Sequence, residues 1–264
     1  MNITPLEKEL LLSHVLQKPR EWVFVHPEIE LTEEQKEEFE KLVERRKNHE
    51  PIAYIINEKE FYGRKFYVDN RVLIPRPSTE TLIDEMKRLF KTGLKKQRSI
   101  KKADNEIIIF TEIFENKLPS KNDGLLITEI GTGSGCIGIT LALEIPDIEI
   151  ICTDISKDAL EVAKQNAKTH NVLNRIKFIK SDLIESNHES RIADRYLVVS
   201  NPPYIPQVDS LPPDVYDFEP HQALFGGYDG SDLLTKLHKQ CLNDPYCIGC
   251  VLEMREEQAK KLTQ

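Results

Sequence analysis

No apolar run in this 264-residue chain approaches the ~20 residues that a helical membrane span requires. With 39% hydrophobic and 30% charged residues, the composition is that of a soluble globular protein. The length suits one large domain, or a small one beside a medium one. A signal-peptide pattern is missing from Met1 to Glu7, so the cytoplasm is the expected compartment and no membrane partner is expected. Metal-ligand spacing is missing too: none of the seven histidines falls in an H-E-x-x-H or similar pattern, and no metal is expected. Cysteine is sparse and odd in number. Cys136, Cys152, Cys241, Cys247 and Cys250 are scattered, which argues against a disulfide framework. Cys247 and Cys250 form one C-x-x-C without a second pair, inside an apolar run that reads as a strand. Positive charge is in deficit as well. A net charge of −8 argues against a general nucleic-acid binder.

What is present falls into three parts. Residues 1–50 read as a small helical unit. Thr4-Pro5-Leu6-Glu7 combines an N-cap, a first-turn proline and a capping-box Glu. Leu31-Thr32-Glu33-Glu34-Gln35 opens a second helix by the same box, with Phe39, Leu42 and Val43 as its apolar stripe. Residues 51–75 read as an extended or hairpin connector: Tyr54 to Ile56, Phe61-Tyr62 and Phe66 to Val68 are aromatic or β-branched, punctuated by Gly63. Residues 76–264 read as the main domain. Its first helix is Glu80 to Phe90. Residues 91–123 then read as an exposed insertion, with a basic run from Lys91 to Lys102 and a short apolar island from Ile107 to Phe110.

From Leu125 onward, strands alternate with helices. The strands are Leu125–Ile130, Ile148–Thr153, Ile176–Lys180, Tyr196–Ser200 and Ile248–Glu253. This alternation predicts an α/β fold with a doubly wound, mostly parallel sheet and right-handed crossovers. Ligands in such folds sit at the carboxyl ends of the strands. The tight turn Gly131-Thr132-Gly133-Ser134-Gly135 follows the first strand, and Asp154 ends the second, 19 residues after Gly135. That is close to the spacing of a nucleotide-binding βαβ unit, in which glycines admit the ligand and the acid holds ribose hydroxyls. No Walker-type lysine follows the turn, which argues against nucleoside triphosphate hydrolysis. Asp182 follows the third strand. The fourth ends in Asn201-Pro202-Pro203-Tyr204. The Asn amide offers an acceptor and two donors, the prolines stiffen the loop and leave carbonyls free, and the Tyr ring offers a flat face. Together they suit a pocket for a planar NH2 group.

This set of strand-end residues resembles the class I S-adenosylmethionine methyltransferases that act on planar nitrogen. The flanks narrow the resemblance. His49-Glu50-Pro51-Ile52-Ala53-Tyr54-Ile55, Phe61-Tyr62-Gly63, Val72 to Pro77, and Glu219-Pro220-His221-Gln222-Ala223-Leu224-Phe225-Gly226-Gly227 are similar to segments of the peptide chain release factor glutamine methyltransferases, the PrmC/HemK family. The resemblance implies a Rossmann-like methyltransferase sheet and S-adenosylmethionine as cofactor. Gly131, Thr132, Gly133, Ser134 and Gly135 would pack on it, Asp154 would hold its ribose, and Asp182 and Leu183 would border its adenine. Asn201 and the Pro202 carbonyl would accept the two hydrogens of the substrate amide, beside Pro203, with Tyr204 against its plane. The implied substrate is the glutamine of the Gly-Gly-Gln loop of release factors, a protein partner, and the implied unit is a monomer. Residues 1–50 would dock that partner.

Two rival readings differ in class: a nucleic-acid amino-group methylase using the same pocket, and a binding protein without turnover. Relative to the family, Asn57 replaces a glycine, Ser78 a glutamate, and Met254-Arg255 an Ile-Gly pair. The chain also ends at Gln264, ahead of the family's last strands, so the fifth strand is expected to lie at an open sheet edge.

Overall fold

The computed structural model describes residues 3–104, 106–114, 125–146, 148–184 and 195–262. Both capping boxes form. Thr4 Oγ1 accepts from the Glu7 amide, the Glu7 carboxylate takes the Thr4 N–H at 2.7 Å, and α1 (Pro5–Leu16) begins. Thr32 and Gln35 do the same for α3 (Glu33–Lys47). Between them lies α2 (Arg20–Val25), too short for periodicity to reveal. Leu11, Leu42 and Ile55 make the small core of this unit, so its packing extends past residue 50.

The connector is only partly as expected. Tyr54 to Ile56 are not extended: Ile52–Ile55 is a helical turn, α4. Pro51, with its fixed φ, opens the turn, and Tyr54 is buried with its hydroxyl donating to the Val72 carbonyl at 2.6 Å. The hairpin does form, as β1 (Lys59–Phe61) and β2 (Arg64–Phe66). Tyr62 (φ 52°) and Gly63 (φ 69°) take the two left-handed positions that a tight hairpin turn demands.

One seven-stranded sheet organises the rest. Its strands are β3 (Gln97–Lys102), β4 (Ile107–Ile113), β5 (Leu126–Ile130), β6 (Glu149–Asp154), β7 (Ile176–Lys180), β8 (Tyr196–Ser200) and β9 (Cys247–Arg255). Their order is β3-β4-β9-β8-β5-β6-β7, with the last five parallel. On one face pack α5 (Glu80–Thr92) and α6 (Cys136–Glu144), through Leu82, Met86, Ile137 and Leu141. α7 (Lys157–Thr169) follows β6 as its crossover. The opposite face is covered by α10 (Asp232–Asn243) and α11 (Glu256–Leu262), through Leu234, Leu237 and Ala259. Shorter turns α8 (Pro213–Tyr216) and α9 (His221–Leu224) lie in the long loop after β8. The C-x-x-C belongs to buried β9, as its apolar neighbours imply. No helix among the described residues is long and apolar enough to cross a membrane.

The segment read as an exposed insertion is corrected by β3 and β4. The apolar island is the start of a central strand: Ile109 and Ile113 point into the core on one face, Ile108 and Phe110 into that on the other. The expected open edge is corrected with it. β4 lies antiparallel along β9 from Ile107↔Arg255 to Ile113↔Gly249, and satisfies the backbone that would otherwise be bare. Its polar residues are matched as well. Thr111 donates to Glu85 of α5 at 3.1 Å, and Glu112 is held by Arg98 of β3 and by His238 of α10 at 2.6 Å. The part of this segment from residue 115 to 123 lies outside the described residues.

Candidate active site

The sheet reverses its winding between β5 and β8, and there the carboxyl ends of adjacent strands diverge into a crevice. β5 runs into the glycine turn. Gly131, Gly133 and Gly135 all have positive φ, at 70°, 53° and 81°. They serve different ends. A Cβ on Gly135 would meet Ile139 at 2.9 Å and Ala163 at 3.1 Å, so this glycine lets α6 pack against α7. A Cβ on Gly131 or Gly133 would meet nothing within 4 Å; both positions open onto a cavity.

That cavity has a volume of about 360 Å3. Of the residues singled out from sequence, Gly131, Gly133, Asp154, Asp182, Leu183, Asn201, Pro202 and Pro203 line it. Thr132, Ser134, Gly135 and Tyr204 do not line it; they hold its wall. The Thr132 hydroxyl donates to Glu129 at 2.6 Å, and the Ser134 carbonyl accepts from Asn166 at 2.8 Å. Glu129 lies fully buried beneath the turn and also accepts from the Gly138 amide and the Cys152 thiol. Burial pushes its carboxyl up to about 7 against those hydrogen bonds.

Asp154 splits its carboxylate between two backbone amides, Gly133 N–H and Ser156 N–H, each at 2.9 Å. Burial raises its pKa and these amides pull it back. The bonds lock the end of β6 to the glycine turn and place a charge on the cavity rim. Asp182 stands on the exposed rim, paired with Lys236 at 3.1 Å. Leu183 adopts a left-handed φ of 59°, its carbonyl accepting from the Ser181 hydroxyl.

Across the cavity, Asn201 ends β8. Its Nδ2 donates to Thr79 Oγ1 at 3.0 Å, which leaves Oδ1 to accept from a ligand. Tyr204 donates its hydroxyl to Glu253 of β9 at 3.0 Å, and burial raises its pKa, with the Glu253 charge adding to the effect. Its backbone carbonyl is pinned by the Gln258 amide of α11 at 2.8 Å. The two motif-like flanks meet here: Arg76 pairs with buried Glu219, whose other oxygen accepts from the Ile74 amide.

Sequence reasoning missed several of these groups. Thr79, Glu253 and Gln258 carry no local pattern; their partners lie 122, 49 and 54 positions away. Arg71, Val72 and Leu73 of the connector also line the cavity, and Arg71 is held in place by its forked bonds to Asp69. Glu129 had a signal, an acid in an otherwise apolar strand just before a glycine turn.

Residues 2–56 match the PrmC N-terminal domain, and residues 101–212 match the methyltransferase small domain. A bifunctional methyltransferase of Rickettsia typhi is 40% identical over 269 residues, covering 100% of this chain and 49% of that protein. The chain thus spans about half the length of such bifunctional relatives. The release factor glutamine methyltransferase of Chlorobaculum tepidum is 39% identical, covering 83% of this chain and 67% of its own. That of Clostridium botulinum is 36% identical, covering 90% and 74%. Among solved structures, a human methyltransferase 10 domain containing protein aligns over 67% of this chain and 65% of its own, at 18% identity and a TM-score of 0.38. At 36–39% identity over two thirds or more of their length, these two relatives establish that the chain belongs to the family of release factor glutamine methyltransferases.

Proposed function

We propose that the chain transfers a methyl group from S-adenosylmethionine to the side-chain amide nitrogen, N5, of the glutamine in the Gly-Gly-Gln loop of a peptide chain release factor. The cavity fits the cofactor in three respects. Gly131 and Gly133 leave a cradle that any Cβ would fill. Asp154 offers a charged acceptor where ribose hydroxyls would lie. Leu183 and Ile155 supply apolar wall for the adenine, with Asp182 at its border. The bound cofactor supplies an electrophilic methyl group on a sulfonium.

The protein's own part is orientation. An amide nitrogen is a poor nucleophile because its lone pair is delocalised. Asn201 Oδ1 and the Pro202 carbonyl accept its two hydrogens, fix the nitrogen towards the methyl group, and favour the positive charge that grows on it; one of the two protons is then lost to solvent, which restores a neutral amide. Tyr204 braces the loop beside the amide plane. The observation that carries this reading is the Asn201–Thr79 bond, because it commits the side-chain amide to presenting an acceptor.

The test is incorporation of labelled methyl from S-adenosylmethionine into release factor, RNA or DNA supplied separately. Label is expected in release factor alone, lost when the Gly-Gly-Gln glutamine is replaced by asparagine. Asn201→Ala should lower kcat roughly a hundred- to a thousandfold. Label in nucleic acid, or turnover unaffected by Asn201→Ala, would overturn the reading.

A further inference from the structure

Resting on that reading, we infer that Glu253 is a positioning residue: through Thr79, it decides which end of the Asn201 side-chain amide faces the substrate. The argument is one of hydrogen-bond polarity. Thr79 Oγ1 receives the Asn201 Nδ2–H at 3.0 Å, so its own proton must go elsewhere. Thr79 is 2% exposed, which leaves the proton no solvent. The group facing that hydroxyl as an acceptor is the Glu253 carboxyl, itself fully buried. Glu253 Oε2 is buried with no hydrogen-bond partner of its own, an open acceptor, while Oε1 receives the Tyr204 hydroxyl at 3.0 Å.

An ionised carboxylate can only accept. At the end of this chain, it makes Thr79 donate towards β9, makes the Thr79 lone pair face Asn201, and thereby turns Asn201 Oδ1 into the pocket. The same carboxylate orients the Tyr204 hydroxyl. One buried acid therefore sets both polar side chains of the Asn-Pro-Pro-Tyr loop without touching the substrate.

Glutamine at position 253 would keep the volume and lose the polarity. Its single amide oxygen serves one hydroxyl; its NH2 must meet the other. If the NH2 faces Thr79, that hydroxyl turns towards Asn201. The Asn201 amide then flips and sets a donor against the substrate N–H. Protonation of Glu253 has the same effect, because the acid O–H becomes a donor. Burial pushes its pKa up to about 7, while Thr79, Tyr204 and the Arg76 charge pull it down. Asp104, in the turn between β3 and β4, adds to the rise, and the Cys136 thiol of α6 also faces the group.

The experiment compares Glu253→Gln, Thr79→Val and Thr79→Ser in the full chain. It measures kcat and KM for release factor, S-adenosylmethionine affinity by calorimetry, melting temperature, and the Asn201 side-chain NH2 resonances in 15N-labelled protein. Glu253→Gln and Thr79→Val are expected to lower kcat roughly a hundredfold, with cofactor affinity unchanged. Thr79→Ser should recover most of the loss. The wild-type kcat should fall on the acid side of pH about 7, and that limb should be missing in Glu253→Gln. The NH2 resonances should move in Glu253→Gln whatever the enzyme's substrate proves to be. A folded Glu253→Gln variant with wild-type kcat, or with unmoved resonances, overturns the inference. A wild-type enzyme that labels no release factor, while the resonances still move, overturns the functional reading instead.

Discussion

Arg76 and Glu219, 143 positions apart, form an ion pair at 2.5 Å that joins the Pro-Arg-Pro segment to the Glu-Pro-His-Gln segment. Glu219 is 3% exposed, whereas the Arg76 side chain keeps about a third of its surface, 34%. The two ends of the pair are therefore not equivalent. Arg76→Ala leaves a buried carboxylate without its counter-charge and should cost about 3 kcal/mol, the low end for a buried pair because Arg76 is partly solvated. Glu219→Gln leaves a cation that water can reach, keeps an acceptor for the Ile74 amide, and should cost about 1 kcal/mol. Urea denaturation of the two variants checks the order; an equal or reversed ranking means that the pair does not bear the charge balance assigned to it. Arg76 also lies three residues before Thr79, so its loss should lower turnover beyond its effect on stability.

Gly249 marks how closely β4 approaches β9. A Cβ there would sit 2.3 Å from the Glu112 carbonyl and 2.8 Å from Ile113 Cδ1. Gly249→Ala should therefore push β4 off the sheet and cost about 1–3 kcal/mol, as overpacking does elsewhere. Amide hydrogen exchange should quicken from Thr111 to Ile113 while the β5–β6 pairing stays protected. Unchanged protection in β4 would mean that the hairpin is not held at that edge.

The same strand shows where sequence legibility ends. The five parallel strands announce themselves through apolar runs, and the residues that close four of them, Gly131, Asp154, Asp182 and Asn201, converge because the topology leaves them one crevice. β4 has an apolar run too, Ile107 to Phe110, but one of its two partners, β3, is the basic stretch before it, and the other, β9, lies almost 150 residues on. Nothing local distinguishes such a strand from a loop. In the site, Asn201 and Asp154 are readable because a strand end, a turn and a spacing mark them. Thr79 and Glu253 are ordinary residues in their own neighbourhoods. Only the fold brings them beside Asn201 and Tyr204.

Glu129 gives the protein's stability a pH dependence of definite sign. Its pKa is about 7 in the folded chain against 4.5 for a free glutamate, so between these values the folded state binds the proton that the unfolded state releases. Its contribution is fully present below about 4.5 and is lost as pH rises through 7. Glu253, also raised to about 7, acts in the same direction. Stability measured by urea should fall by a few kcal/mol, in order of magnitude, between pH 5 and 8. Glu129→Gln should remove the Glu129 share of that slope and leave the share of Glu253. A wild-type stability that rises over this interval would show that Glu129 is ionised in the folded state.

Gly133 and Gly135, two residues apart in one turn, should separate binding from packing. Both have positive φ, so alanine at either strains the backbone by roughly 1–2 kcal/mol. At Gly135 the new methyl also strikes Ile139 and Ala163, adding about 1–3 kcal/mol. At Gly133 it strikes nothing, and enters the cavity wall that Asp154 steadies through the Gly133 N–H. Gly135→Ala should therefore show the larger drop in melting temperature. Once folded, it should bind S-adenosylmethionine nearly as the parent does. Gly133→Ala should lose only the melting temperature that the backbone strain accounts for, and bind the cofactor less well, because its methyl occupies the cradle. Asp154→Ala should weaken binding by about 1.5–3 kcal/mol, the worth of a charge-assisted hydrogen bond. Calorimetric titration beside thermal melts reads both quantities on the same samples. Parent-like affinity in Gly133→Ala would place the cofactor away from this turn, and parent-like affinity in Asp154→Ala would remove the carboxylate from the ribose site.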